Sequence, residues 1–213
     1  MRFIALLVAF FALLQVINAI SGVDISSAST IESFSCLKSA GYDFAIIRAY
    51  ESLGQVDPNG PHSVYNARDA GIEYVDVYLF PCPTCGNGAG QAESMVNYLK
   101  GYNANYGMVW LDIEGPQYWM SSQSENIAFF ESLVSGLQAE GAHIGVYTSA
   151  SQWEPIMGGY TGGSSFPLWY AHYDGNPSFS DFSPFGGWGT PSIKQYDDTG
   201  DSCGLGFDLN WYP

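Results

Sequence analysis

The strongest constraint on how this chain folds is an alternation of short apolar runs with amphipathic stretches, kept up along most of its 213 residues. Residues 23–26 read as a first strand, and residues 30–40 as a helix stopped at Gly41. Residues 44–49 form an apolar run suited to a buried strand, and residues 62–70 a helix ending at Gly71. A strand over 74–80, a helix over 91–100 and a strand over 108–113 follow. The helix expected over 122–139 carries Ile127, Phe130, Leu133, Val134 and Leu137 on one stripe. Further strands fall at 143–147, 167–173, 192–196 and 207–210, with helices short or missing between the last of them. Continuously apolar strands separated by helices indicate a parallel sheet covered by those helices. About eight strands predict an α/β fold closed as a modified TIM-like (β/α) barrel, irregular in its second half. An open doubly wound sheet is the alternative, but no glycine-rich phosphate loop follows the first strand.

Met1 and Arg2 precede an unbroken apolar run over residues 3–14, closed by small and polar residues up to Ala19. That is the layout of a secretory leader, and the run is shorter than the ~20 apolar residues a membrane span needs. The expected organisation is a signal peptide at residues 1–19 and a single domain at 20–213. The expected location is outside the cell, or the lumen of an acidic digestive vacuole or lysosome-like compartment. The formal net charge is −15, and losing a leader that holds Arg2 and no acid makes it more negative. Such a chain repels nucleic acid and anionic membranes, so neither is an expected partner. The acidity suits a low-pH working site, where carboxylates protonate, or simply keeps the protein in solution.

The 4 cysteines allow three pairings, and an even count behind a secretory leader points to disulfides. Cys82 and Cys85 share a tight proline-containing turn. The favoured pairing is therefore Cys82–Cys85, with Cys36–Cys203 tying the two ends of the domain together. No cysteine or histidine set has zinc spacing, and no metal or organic cofactor is expected.

In parallel barrels chemistry gathers at the carboxyl ends of the strands, where Asp24, Asp112, Glu114 and Asp208 all fall on this reading. Asp112 and Glu114 stand two residues apart at the end of an apolar strand, so both project to one face. Such a pair is costly unless used, and mutual repulsion raises one of the two pKa values. A proton donor beside an ionised neighbour is what glycoside cleavage requires. Solvated acids at an exposed strand end are the plainer reading of the same pair. Aromatic residues near strand ends, among them Tyr78, Tyr118, Tyr147, Trp169 and Tyr173, suit the apolar faces of sugar rings; each alone is as well explained by core packing. His62 and His143 read as ordinary surface or strand positions, whereas His172 lies on a strand close to the site.

Taken in order, these motifs resemble glycoside hydrolase family 25, the Chalaropsis-type lysozymes. The match spans nearly the whole of 20–213: Gly22-Val23-Asp24-Ile25-Ser26, Phe44 to Ala49, Val56-Asp57-Pro58, Trp110-Leu111-Asp112-Ile113-Glu114, Gly145-Val146-Tyr147-Thr148-Ser149, Leu168 to Tyr173, Gln195-Tyr196 and Phe207-Asp208-Leu209-Asn210. The resemblance implies a secreted, monomeric catalytic domain that hydrolyses the β-1,4 bond between N-acetylmuramic acid and N-acetylglucosamine in bacterial peptidoglycan. It implies Glu114 as general acid and base, Asp112 as the residue orienting the substrate acetamide, and Asp24 and Asp208 as supports on neighbouring strands. Arg48, Tyr78, Tyr147 and Gln195 correspond to sugar-contacting positions. The chain departs from the family at Arg48, often lysine there, and at Leu79, where an imidazole is common. A binding or regulatory protein on the same fold is the alternative function. A chitinase is disfavoured because Trp110 stands where that group's longer motif has an acid.

Overall fold

The computed structural model describes residues 19–213, so the expected leader lies, but for Ala19, outside the described residues. The strands are β1 (Ile20–Ile25), β2 (Phe44–Glu51), β3 (Gln55–Val56), β4 (Tyr74–Leu79), β5 (Met108–Asp112), β6 (His143–Thr148), β7 (Leu168–Ala171), β8 (Ile193–Ser202) and β9 (Leu205–Tyr212). The helices are α1 (Ile31–Ser39), α2 (Gly60–Asp69), α3 (Gly88–Gly101), α4 (Gln123–Ala139) and α5 (Ala150–Met157). Local chemistry sets their ends. The Thr30 side chain accepts from the Ser33 amide at the start of α1, and Ser122 does the same for Glu125 at the start of α4. Only α5, which carries Pro155 inside it, has no counterpart in the sequence reading.

The sheet runs β1-β2-β4-β5-β6-β7-β8-β9 and closes because β9 pairs back on β1; β3 is a two-residue flap on β2. Strands β1 to β8 around the barrel are parallel, whereas β9 is antiparallel to both neighbours. The reason is the connection. Ser202 faces Leu205 across a two-residue turn in which Cys203 (φ 57°) and Gly204 (φ 73°) are both left-handed, a hairpin geometry that reverses the chain. Asp208 therefore does not end a parallel strand, as the sequence reading had it. It reaches the same mouth from a strand running the other way.

Side-chain alternation divides the interior in two. The outward faces of the strands carry aliphatic residues such as Val77, Leu111 and Val146, which pack on Phe34, Met95 and Leu133 of the helices. The inward faces carry Phe44, Tyr78, Trp110, Tyr147 and Trp169, which fill the barrel. Glycines make this aromatic filling possible. A Cβ on Gly22 would lie 2.4 Å from the ring of its register partner Phe44, and one on Gly145 would lie 2.3 Å from that of Trp110. The result is a solid aromatic floor with polar side chains above it.

Disulfides join Cys36 to Cys203 and Cys82 to Cys85. The first fastens α1 to the β8–β9 turn, and the second closes the turn after β4.

Candidate active site

Asp24 on β1 and Asp208 on β9 are register partners, so their side chains share one side of the sheet. Asp112 ends β5, and Glu114 follows two residues on. These four carboxylates line one pocket of about 90 Å³ together with Tyr78, Tyr147, Trp169, Tyr173 and Gln195. Hollows adjoin it on both sides. One, about 420 Å³, shares Asp24, Tyr78 and Asp208 and continues over Ser26, Ser27 and Asp198. The other, about 230 Å³, shares Glu114, Tyr147 and Tyr173 and continues over Ser149, Gln152 and His172. The carboxylates thus occupy the narrow middle of a groove across the barrel mouth.

Gln195 is the hub of the hydrogen bonding. Its amide donates to Asp24 Oδ2 (2.7 Å) and Asp208 Oδ2 (3.0 Å), and its carbonyl oxygen accepts from the hydroxyls of Tyr147 (2.6 Å) and Tyr173 (2.8 Å). Asn210 also donates to Asp24 Oδ2 (2.7 Å) and accepts from the indole N–H of Trp169 (2.7 Å). Asp112 stands apart. Its Oδ1 is buried and has no hydrogen-bond partner among the described residues.

Burial and mutual repulsion raise the pKa values of the whole set. Burial, then Asp208, pushes Asp24 up to about 7. Burial, then Asp198 and Asp197, pushes Asp208 up to about 6. Burial, then Glu114 and Asp24, holds Asp112 well above the ordinary carboxylate range, and burial with Asp208 raises Glu114. Near neutral pH the cluster therefore retains protons and can act as an acid. Burial also keeps Tyr78 and Tyr147 protonated, the latter as a donor to Gln195.

Of the positions singled out by sequence, Asp24, Asp112, Glu114, Asp208, Tyr78, Tyr147 and Gln195 converge here. Arg48 does not line the pocket or either adjoining hollow. Its guanidinium donates to buried Asp57 (2.8 Å) and faces Glu51 (3.5 Å). Asn210 was not among the expected site residues, although it stands two residues after Asp208 and so on the same face, by the spacing that relates Asp112 to Glu114. His172, Asp174 and Asp181 have donors suited to a metal ion, but the ammonium of Lys194 lies among them. An apolar cavity of about 330 Å³ opens at the opposite end of the barrel. Its one carboxylate, Asp76, has both oxygens bonded, to the Met108 amide and the Trp110 indole.

The model of the family described as Lysozyme-like protein 1 matches residues 15–196. The Dictyostelium discoideum protein named "Probable GH family 25 lysozyme 2" is 93% identical over 100% of both chains. A Dictyostelium discoideum protein of different name, Counting factor 50, is 35% identical over 94% of this chain and 70% of its own length. Among solved structures, a family GH25 lysozyme from Aspergillus fumigatus superposes with a TM-score of 0.75 at 26% identity, over 92% of this chain and 94% of that one.

Proposed function

This chain belongs to the lysozymes of glycoside hydrolase family 25, and on that footing we propose that it cleaves the β-1,4 bond between N-acetylmuramic acid and N-acetylglucosamine in bacterial peptidoglycan by a substrate-assisted, retaining route. The observation that carries this reading is the pairing of Glu114 with a buried, unpartnered Asp112 Oδ1 in the middle of a groove. A buried acceptor without a donor is costly, and a substrate acetamide N–H supplies one. Held there, the acetamide oxygen attacks the anomeric carbon as Glu114 protonates the leaving oxygen. The glycosidic bond breaks and a cyclic oxazolinium forms. Water then adds to the anomeric carbon, gives its proton to Glu114, and the acetamide is released with the original stereochemistry.

The electrostatics favour the transition state over the ground state. In the free site, burial and like charges hold protons on the cluster. The acetamide N–H held on Asp112 gains positive charge as the oxazolinium forms, so its hydrogen bond to that carboxyl strengthens as the bond breaks. Gln195 holds Asp24 and Asp208, and Asn210 also holds Asp24, in the same pocket. Export through the residue 1–19 leader into the extracellular space or an acidic vacuole belongs to the same proposal.

Mass analysis of products from purified peptidoglycan tests the reading: N-acetylmuramic acid is expected at the new reducing end, and glucosamine there refutes it. Glu114→Gln is expected to lower turnover by about 10²–10⁴-fold with the fold retained. A relative at 35% identity, Counting factor 50, does not carry the lysozyme name, which leaves room for a second reading, a binding or regulatory protein on the same fold. No wall lysis by the wild type would support that reading instead, whereas unchanged lysis by Glu114→Gln would refute Glu114 as the acid.

A further inference from the structure

Lys194 is a fully buried cation, 0% exposed, next to the groove but outside it. It precedes Gln195 on β8, so the two side chains leave the strand on opposite faces. Gln195 enters the barrel mouth, and Lys194 points outward beneath the irregular segment between β7 and β8. Its ammonium donates to both oxygens of Asp174 (2.9 Å each) and to Asp181 Oδ1 (2.8 Å). Asp181 Oδ2 accepts from the Tyr170 hydroxyl (3.1 Å) and is paired with the His172 ring. Burial works against charge on these two acids but is outweighed by Lys194 together with the other donors, the Asn176 amide at Asp174 and His172 and Tyr170 at Asp181. Asp181 sits at about 2, and Asp174 is also lowered.

Tyr173 lies between two members of this cluster, His172 and Asp174. Its hydroxyl donates to Gln195 Oε1 (2.8 Å) and meets that of Tyr147 (3.1 Å), and its ring is a wall common to the central pocket and the 230 Å³ hollow. The main chain on either side is laid on β8 by His172 N–H to Gln195 O and Gly175 N–H to Tyr196 O. Nothing in those two bonds ties the near limb of the segment, at Asp174, to the far limb, at Asp181. The ammonium does.

We propose that Lys194 is a positioning residue of the groove: its ammonium staples Asp174 to Asp181 and so holds Tyr173 against Gln195 as a wall for the bound sugar. The identity of that sugar rests on the proposed function; the staple does not. The ligand atoms of His172, Asp174 and Asp181 lie within 4.8 Å of one another, and in the folded protein Lys194 is the cation they hold. Removing it leaves a His/Asp/Asp set of the kind zinc binds.

Two measurements test this. In steady-state kinetics on soluble peptidoglycan fragments, Lys194→Met and Tyr173→Phe are each expected to raise KM about five- to tenfold, the worth of one lost hydrogen bond, with kcat little changed. A merely destabilised protein would lose active fraction, lowering kcat at constant KM. In thermal unfolding, zinc chloride is expected to raise the Tm of Lys194→Ala, but not that of the wild type or of Lys194→Ala/Asp174→Ala. Wild-type KM in folded Lys194→Met, or zinc stabilisation of the wild type abolished by Asp174→Ala, overturns the proposal. Should Lys194→Met not fold, Asp181→Asn carries the same expectation of a raised KM, and an unchanged KM overturns it. If the wild type does not cleave the fragments, the proposed function fails, while affinity for the same fragments and the zinc measurement still decide the staple.

Discussion

Raising the pH from 4.5 to 8 should destabilise this protein, contrary to the behaviour of a fold held by paired carboxylates. Asp24 is 8% exposed, and its pKa is raised from 3.8 to about 7. Between those values the folded state binds a proton that the unfolded chain has released, so stability falls as pH rises through that window. At about 1.4 kcal/mol per pH unit the full displacement is roughly 4 kcal/mol, of which about 3 kcal/mol falls between pH 4.5 and 8. Asp208, Glu114 and Asp112 are raised too and act in the same direction. Among groups that oppose this, Asp174, Asp181 and Asp197 are lowered from 3.8: their contribution is present above that unfolded value and is lost only as pH falls below it, for Asp181 toward about 2. They offset nothing in the window. For a domain of this size the Asp24 shift alone corresponds to a fall in Tm of about 6–12 °C. Calorimetry at the two pH values with disulfides intact measures it, and Asp24→Asn should flatten the slope, since an amide oxygen still accepts from Gln195 and Asn210. A Tm equal or higher at pH 8, or a slope unchanged in Asp24→Asn, would refute the account of the cluster.

Three other outcomes follow from the structure. Gly145→Ala places a Cβ 2.3 Å from the Trp110 ring in a filled barrel, which should cost about 1–3 kcal/mol or more by denaturant titration, whereas Gly159→Ala meets nothing within 4 Å and should be near neutral. Removing the Cys36–Cys203 bridge, with a sequence separation of 167, should cost about 5 kcal/mol on chain entropy, against roughly 2 kcal/mol for Cys82–Cys85, whose separation is 3. Asn210→Ala removes one donor to Asp24 and the acceptor of the Trp169 indole; it should lower kcat/KM about tenfold or more and push the acidic limb of the pH–rate profile upward, and an unshifted limb would count against a supporting role for Asp24.

Much of the architecture is legible along the chain because its cause is local. Strand and helix positions follow from apolar periodicity, and their ends from Thr30, Ser122, Gly41 and Gly71. The common face of Asp112 and Glu114 follows from the two-residue repeat of a strand. The resemblance of ordered motifs carried the family and the remaining acids. Other features depend on residues far apart in sequence. Periodicity shows that a segment is a strand but not which way it runs, so the reversal of β9, which sets Asp208 beside Asp24, came only with the hairpin at Cys203 and Gly204. The bonds from Gln195 and Asn210 to Asp24 span 171 and 186 residues. Arg48, expected at the sugar, is held instead by Asp57, and Lys194, not singled out by sequence, is enclosed by Asp174 and Asp181. The sequence by itself determined which residues carry charge and which face of each element they occupy, because those follow from composition and repeat. Only the tertiary structure decided which charges meet and how far burial shifts them, because Coulomb energy and desolvation depend on distances in space.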